Sequence, residues 1–309
     1  MNEKLLYLQD DLGVPKDVVT KQVQDALGQA CVWGELSAEQ AAQVNYIITV
    51  KSPVDESVLD RFPNLEAVAV AFTGYDAVDI PACQERGITV MNVPEYSTTA
   101  VAELVIGLTI NVLREIPRAT QVVTAGEWGF APGAELAGKT VGIVGTGAIG
   151  QATAKLFRAF GCEVIAWSRT ERDRFKDYGT YVAELSDLLA QADIVSLHVP
   201  HTPDTTGLIG TRELAQLQPS AILVNTARGP IIDEAALLAA LDAGQLHAAA
   251  LDVFTEEPLP VDHPLRSHER VLATPHISFN TVPALAERLR ITVANLAAHA
   301  AGTSTNVVS

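Results

Sequence analysis

Three polar side chains in the second half of the chain stand just past apolar runs, and their types suit the reduction of a carbonyl. Arg228 follows Val224-Asn225-Thr226-Ala227 and precedes Gly229. A guanidinium is permanently charged and can hold a carboxylate through two parallel hydrogen bonds. Glu257 closes the run Leu251-Asp252-Val253-Phe254-Thr255-Glu256, and His276 follows Thr274-Pro275. An imidazole can give a proton to a carbonyl oxygen while hydride reaches the carbon, and a nearby carboxylate can hold it protonated. Singly, each has an ordinary use as a surface cation, a solvated loop acid or a satisfied histidine. It is the combination that points to catalysis.

Hydride needs a donor, and a stretch that could hold one lies upstream. The apolar run Val141-Gly142-Ile143-Val144 ends in Gly145-Thr146-Gly147-Ala148-Ile149-Gly150, and Gln151 to Phe160 reads as a helix. In a strand–turn–helix context Gly145 permits the tight turn, Gly147 lets a pyrophosphate approach the backbone and Gly150 lets the helix lie close to the sheet. The helix N-terminus offers unpaired N–H groups and partial positive charge to phosphates.

The elements that must position these residues alternate along the chain. Strands are expected at Leu5–Leu8, Tyr46–Val50, Ala67–Val70 and Ile88–Val90, with helices at Val18–Leu27, Ala38–Gln43 (capped by Ser37) and Val54–Arg61. Ser97 then caps a long apolar helix, Thr98 to Leu113. Beyond it, strands at Glu163–Trp167, Ile194–Leu197, Ala221–Asn225, Ala248–Leu251 and Val271–Ala273 alternate with helices at Val182–Leu189, Thr211–Leu217 and Glu234–Leu241. Strand–helix alternation implies parallel, doubly wound sheets. The expected fold is therefore α/β, with two such domains: residues 97–281 as a Rossmann dinucleotide-binding domain, and 1–96 with 282–309 as a discontinuous substrate domain. A terminal helix from Pro283 to about Ala300 returns to the first domain, and the active site is expected in a cleft.

With 309 residues, 48% of them hydrophobic and 19% charged, the chain reads as globular with room for about two cores. Its net charge of −16 argues against nucleic acid and anionic membranes as partners. No apolar run reaches the ~20 residues that span a bilayer. Cys31, Cys83 and Cys162 form no metal pattern and suit a reducing compartment, and Met1-Asn2-Glu3-Lys4 shows no signal-peptide start. The expected location is the cytoplasm.

Taken together, the motifs resemble those of the D-isomer-specific 2-hydroxyacid dehydrogenases over nearly the whole chain. The carrying pieces are Gly145 to Gly150, Leu197-His198-Val199-Pro200-His201-Thr202-Pro203, Asn225-Thr226-Ala227-Arg228-Gly229, Ala250-Leu251-Asp252-Val253-Phe254 with Glu257-Pro258, and Thr274-Pro275-His276. The resemblance implies catalytic roles for Arg228, Glu257 and His276. It also implies that Asp252 receives the nicotinamide carboxamide, and that Val199, Pro200, Thr226, Ala227, Arg228 and His276 adjoin the coenzyme. The loop Thr73-Gly74-Tyr75-Asp76 matches the one that receives the substrate carboxylate, so Thr73, Gly74 and Tyr75 join Arg228 and His276 as substrate residues. Members are homodimers through the coenzyme domain. Val93-Pro94-Glu95-Tyr96-Ser97-Thr98 and Asn306-Val307-Val308 look most like the glycerate dehydrogenase and hydroxypyruvate/glyoxylate reductase branch, so the expected partner is a small 2-oxo or 2-hydroxy acid. Phe279 stands where many members carry small residues. A phosphite-oxidising relative would carry lysine where this chain has Thr73, and a nucleotide-sensing binding protein would not need the three intact catalytic residues.

Coenzyme choice is read from the end of the second strand of the dinucleotide unit. A site for NAD(H) places an acid ~20 residues after the glycine turn, on the ribose 2′-hydroxyl. Here Ser168-Arg169-Thr170 stands instead, Ser168 lying 23 residues after Gly145. Ser168 can donate to a 2′-phosphate and Arg169 can neutralise it. NADP(H) is the expected coenzyme, with NAD(H) as the alternative.

Overall fold

The computed structural model describes residues 4–129 and 131–308. Met1, Asn2 and Glu3, on which the absence of a signal-peptide start partly rests, lie outside the described residues, as do Phe130 and Ser309. The chain divides into two compact units, residues 1–97 with 280–309 and residues 98–279.

The smaller unit is built on strands β1 (Leu5–Leu8), β2 (Ala30–Val32), β3 (Val44–Thr49), β4 (Ala67–Val70) and β5 (Thr89–Met91), all parallel, in the order β2-β1-β3-β4-β5. Its helices are α1 (Lys16–Leu27), α2 (Ala38–Ala41), α3 (Glu56–Arg61), α4 (Ile80–Glu85) and a terminal helix, Val282–Ala300, which packs on α1 and β4. Every residue of β1, β3 and β4 is buried, as apolar strands covered on both faces should be. Leu6, Ile48, Ala69, Val19, Val23, Leu289 and Leu296 share one core cluster. The terminal helix also carries a buried arginine, Arg288, whose Nη2 donates to the Leu12 carbonyl.

Among the described residues the larger unit has seven parallel strands, β6 (Thr140–Val144), β7 (Glu163–Trp167), β8 (Thr180–Tyr181), β9 (Ile194–Leu197), β10 (Ile222–Asn225), β11 (Ala248–Leu251) and β12 (Val271–Ala273). Their order is β12-β11-β10-β9-β6-β7-β8, a doubly wound arrangement that reverses between β6 and β9. Helices α5 (Thr98–Leu113), α6 (Ile116–Thr124), α7 (Ala148–Ala159), α8 (Leu185–Gln191), α9 (Thr211–Leu214) and α10 (Glu234–Asp242) surround it. Two clusters form its core. One joins Val105, Leu108, Ala154 and Phe157 to Val141, Ile143 and Val164, and the other joins Leu188, Leu214, Leu237 and Leu241 to Val195, Leu223 and Leu251.

Both sheets are parallel, as the strand–helix alternation predicts. The local departures have physical causes. α7 starts at Ala148 rather than Gln151, because Gly147 in extended backbone serves as its N-cap. α8 starts at Leu185 rather than Val182, because the Val182 N–H still bonds to the sheet at Ala166 O. α9 ends at Leu214 rather than Leu217. The short β2, β8 and α4, and the wholly surface-lying α6, lack the length or apolar run that a sequence pattern needs.

Candidate active site

Three adjacent strands bring the three predicted catalytic residues to one edge of the larger sheet. β10, β11 and β12 run parallel, with Asn225 beside Leu251 and Leu251 beside Ala273. Arg228, Glu257 and His276 each lie in the turn leaving one of these strands at its carboxyl end, where open α/β sheets bind ligands.

Short polar side chains fasten two of these turns. Asn225 Nδ2 donates to the Arg228 carbonyl at 2.9 Å, and its Oδ1 accepts the Ala227 N–H at 3.0 Å. The fully buried Asp252 takes three bonds. Its Oδ1 accepts Thr274 Oγ1 at 2.6 Å and the Ile277 N–H at 2.8 Å, and its Oδ2 accepts the Ser278 N–H at 2.8 Å. These bonds grip the chain on both sides of His276, whose backbone is left-handed at φ 52°. A non-glycine residue held there costs about 1–3 kcal/mol and needs support from its surroundings. The Asp252 clamp supplies it.

The turns also touch one another. A Cβ on Gly229 would sit 1.9 Å from the Phe254 carbonyl carbon and 2.3 Å from Thr255 N, so the Arg228 turn lies directly on the segment that leads to Glu257. Glu257 then accepts twice, from the Phe254 N–H at Oε1 (3.2 Å) and from His276 Nδ1 at Oε2 (2.6 Å). The His276 side chain is only 11% exposed. Phe279 meets the imidazole edge to face, with centroids 5.7 Å apart. Arg228 Nη1 donates to the Ala227 carbonyl at 2.7 Å. The arrangement can hold an anion beside an imidazole whose orientation is fixed by a carboxylate. Asn225 and Phe279 were not among the predicted site residues. Asn225 ends a strand two residues before Ala227, which is the spacing of an Asx turn and the only sequence signal for it.

The glycine turn occupies the point where the strand order reverses. Gly145 has φ 98°, and a Cβ there would strike the His198 carbonyl and Val199 Cγ1 at 2.8 and 2.9 Å. Its N–H bonds to Trp167 O at 2.8 Å, which sets the end of β7, and so Ser168, beside the turn. A Cβ on Gly150 would lie 2.1 Å from the Gly145 carbonyl oxygen, so only glycine allows α7 to start so close. Nothing would meet a Cβ on Gly147 within 4 Å. Ala148 and Ile149 open the helix with Gly150, and Gln151 N–H is the first to reach a helical acceptor, Gly147 O. Thr226 Oγ1 is buried without a partner at the end of β10. Open space over Gly147, free helix N–H groups and this orphaned hydroxyl all fit a bound dinucleotide.

Other predicted coenzyme residues divide by what their side chains do. The Thr146 hydroxyl is buried and accepts from Tyr181 OH at 2.8 Å, so its side chain is already engaged. Val199 and Pro200 follow β9 beside Gly145, Ser168 is half-buried, and Arg169 and Thr170 are exposed. His198 turns back to share a hydrogen bond with Ser196 Oγ at 2.9 Å, and burial pushes its imidazole down to about 3. It is therefore uncharged beside the glycine turn at ordinary pH. Among the described residues no group of three or more His, Cys, Asp and Glu side chains could hold a metal.

Thr73, Gly74 and Tyr75 belong to the smaller unit, past the carboxyl end of β4. Thr73 is held from two sides, its Oγ1 donating to Val93 O (3.1 Å) and its carbonyl accepting Asn92 Nδ2 (2.7 Å), while the Tyr75 ring is exposed. On the same edge of that sheet, Asp10 Oδ2 accepts the N–H groups of Val50, Lys51 and Ser52 at 2.6, 3.0 and 3.0 Å and Thr49 Oγ1 at 3.0 Å, and Asp10 Oδ1 accepts Ser52 Oγ.

The sequence profile of the D-isomer specific 2-hydroxyacid dehydrogenase NAD-binding domain matches residues 106–278. The chain is 34% identical to a hydroxypyruvate reductase of Blautia hydrogenotrophica over 300 residues, covering 92% of this chain and 93% of that one. It is 38% identical to glyoxylate/hydroxypyruvate reductase B of Yersinia enterocolitica over 277 residues, covering 87% and 84%. The fold superposes on a glyoxylate reductase from Paecilomyes thermophila with a TM-score of 0.89 at 29% identity, covering 100% and 99%. These matches bear out the resemblance drawn from the motifs.

Proposed function

Since the chain belongs to the D-isomer specific 2-hydroxyacid dehydrogenase family, whose members are oxidoreductases that reduce 2-oxo acids to D-2-hydroxy acids with a nicotinamide coenzyme, we propose that its own substrate is a small 2-oxo acid of the hydroxypyruvate or glyoxylate kind. The relatives that carry those names support this choice. In our reading the residues at the ends of β10 to β12 do the chemistry, and the 2.6 Å bond between His276 Nδ1 and Glu257 Oε2 is the observation that carries it.

Arg228 binds the substrate carboxylate and draws electron density from the adjacent carbonyl. A nicotinamide coenzyme held by its pyrophosphate at the glycine turn would supply the hydride that the carbonyl carbon takes up. His276 donates the proton on Nε2 to the carbonyl oxygen, while its Nδ1–H goes on donating to Glu257 Oε2. Glu257 fixes the ring's orientation and compensates its positive charge before transfer. In the reverse direction His276 Nε2 takes the hydroxyl proton. The larger unit holds the coenzyme, and in our reading the smaller one receives substrate through Thr73, Gly74 and Tyr75.

Ser168 and Arg169 support NADP(H) as the preferred coenzyme, with no acid at the strand end to repel a 2′-phosphate. A homodimer through the larger unit is supported by α6, none of whose residues is buried, and by Val123 and Trp128, 59% and 91% exposed. Apolar surface on that scale suits a second copy. The three unpaired cysteines suit the cytoplasm.

The test is coenzyme oxidation against a panel of 2-oxo acids by the wild type and by His276→Ala. Hydroxypyruvate or glyoxylate should be the best substrate, and the variant should turn over ~10²–10⁴-fold more slowly. Full turnover by the variant would remove His276 from the mechanism.

A further inference from the structure

We propose that Tyr181 is a positioning residue for coenzyme choice, its hydroxyl tethering the loop that carries Ser168 and Arg169 to the glycine turn. The proposal rests on the NADP(H) reading above and deepens it. Tyr181 lies on the outermost strand, β8, 35 residues from Thr146 in sequence, yet its OH donates to Thr146 Oγ1 at 2.8 Å and accepts the Arg172 N–H at 2.8 Å. One oxygen thus joins the turn that meets the pyrophosphate to the loop that would meet the 2′ position.

The loop has fixed ends and little else to fix its middle. It starts at Trp167 O, which is bonded to Gly145 N–H. It ends in a short 3₁₀ turn, Asp173–Asp177, anchored by the fully buried Phe175, whose ring lies 5.1 Å from that of Tyr181. Between them, residues 168–172 have no helix or strand. Lys176 pairs with Asp173 at 3.1 Å and with Glu171 at 3.8 Å, which offsets part of the charge of the two acids closest in sequence to Arg169 and Arg172. The exposed guanidinium of Arg169 would then meet a 2′-phosphate with less local negative charge to oppose it.

A tether of this kind should act on one coenzyme more than on the other. Ordering a long arginine side chain and its loop costs entropy, and a loop already held loses less on binding. NADPH draws on that order through its 2′-phosphate. NADH has no phosphate there and makes no such demand.

Dissociation constants for NADPH and NADH, measured by fluorescence on the wild type, Tyr181→Phe, Arg169→Ala and the double variant, test the proposal. Phenylalanine keeps the ring against Phe175 and removes both hydrogen bonds. Tyr181→Phe should weaken NADPH about five- to tenfold, the effect of about one net hydrogen bond or slightly more, and NADH less than twofold. On the Arg169→Ala background the same change should weaken NADPH less than twofold. Thr146→Val, which removes the acceptor from the other side, should lower the NADPH-to-NADH preference in the same direction and serves if Tyr181→Phe does not fold. Equal losses for both coenzymes, or full additivity in the double variant, would overturn the proposal while a wild-type preference for NADPH still stood. A wild type that binds NADH more tightly would overturn both.

Discussion

Each sheet reverses its strand order once, and the two reversal points treat negative charge in opposite ways. In the larger unit, between β6 and β9, Gly147 leaves open space in front of the first N–H groups of α7. In the smaller unit, between β1 and β3, the N–H groups of Val50, Lys51 and Ser52 also converge, but on the chain's own Asp10 carboxylate. A doubly wound sheet tends to gather unpaired N–H groups where it reverses. Whether that place becomes a binding site depends on whether a side chain already fills it. Glycine keeps one free, and aspartate closes the other.

The largest effect that could break this contrast is expected at Gly150. A methyl there would lie 2.1 Å from the Gly145 carbonyl oxygen, so its absence is what lets α7 start against the turn. Gly150→Ala should weaken coenzyme binding about a hundredfold or more by titration calorimetry, since helix and turn must separate. Binding at the wild-type level would show that close approach is not what makes the turn a site. Asp10→Ala should act on the other reversal point alone. It strips three N–H groups of their acceptor and should lower unfolding free energy by about 1–3 kcal/mol in denaturant, with coenzyme affinity unchanged. A loss of coenzyme affinity there would merge what the comparison separates.

Gly147→Ala should do the reverse on a smaller scale. The methyl would meet nothing in the protein, so stability should change by less than about 1 kcal/mol, while coenzyme binding falls about tenfold as the methyl enters the phosphate's space. The smallest effect separates the two regions by pH. Burial alone would raise Asp10, but the bonds from Ser52, Val50 and Lys51 outweigh it, and the carboxyl sits below its usual range. Its contribution is present above the ordinary carboxylate value of about 4 and lost as pH falls through the lower folded value. His198 is pushed down to about 3 by burial, so below about 6.5 the unfolded chain takes up a proton that the folded chain refuses, and stability falls from there. Unfolding followed against pH should therefore show a shallower slope between about 6.5 and 3 in His198→Asn and a shallower slope below about 4 in Asp10→Asn. Unaltered slopes in both would refute the assignments.

What the sequence revealed follows the reach of each interaction. The glycine turn could be read because its geometry is settled by six consecutive residues. That Arg228, Glu257 and His276 come to one sheet edge could be read because each follows an apolar strand closely, and strands fix where their ends point. Asp10 could not, since its partners lie about 40 residues away and an acid after a strand is usually solvated. For Asp252 the resemblance implies contact with the nicotinamide carboxamide. Its three bonds to the His276 turn span 22 to 26 residues and depend on β11 and β12 being neighbours, which no local pattern encodes. Tyr181 was invisible for the same reason, lying on a two-residue edge strand with no periodicity of its own.

The terminal helix has one more consequence, for the order in which the molecule is made. It covers α1 and β4, yet it emerges from the ribosome only after residues 98–279. The smaller unit must keep an apolar face uncovered while the larger one is synthesised, whereas the larger unit has every strand and helix it needs before that. Loop-closure entropy grows only logarithmically with the length inserted, about 0.6 kcal/mol per doubling, so the detour through a whole second unit costs little at equilibrium. Its burden is one of timing, and it falls on α1 and β4 in a half-built chain.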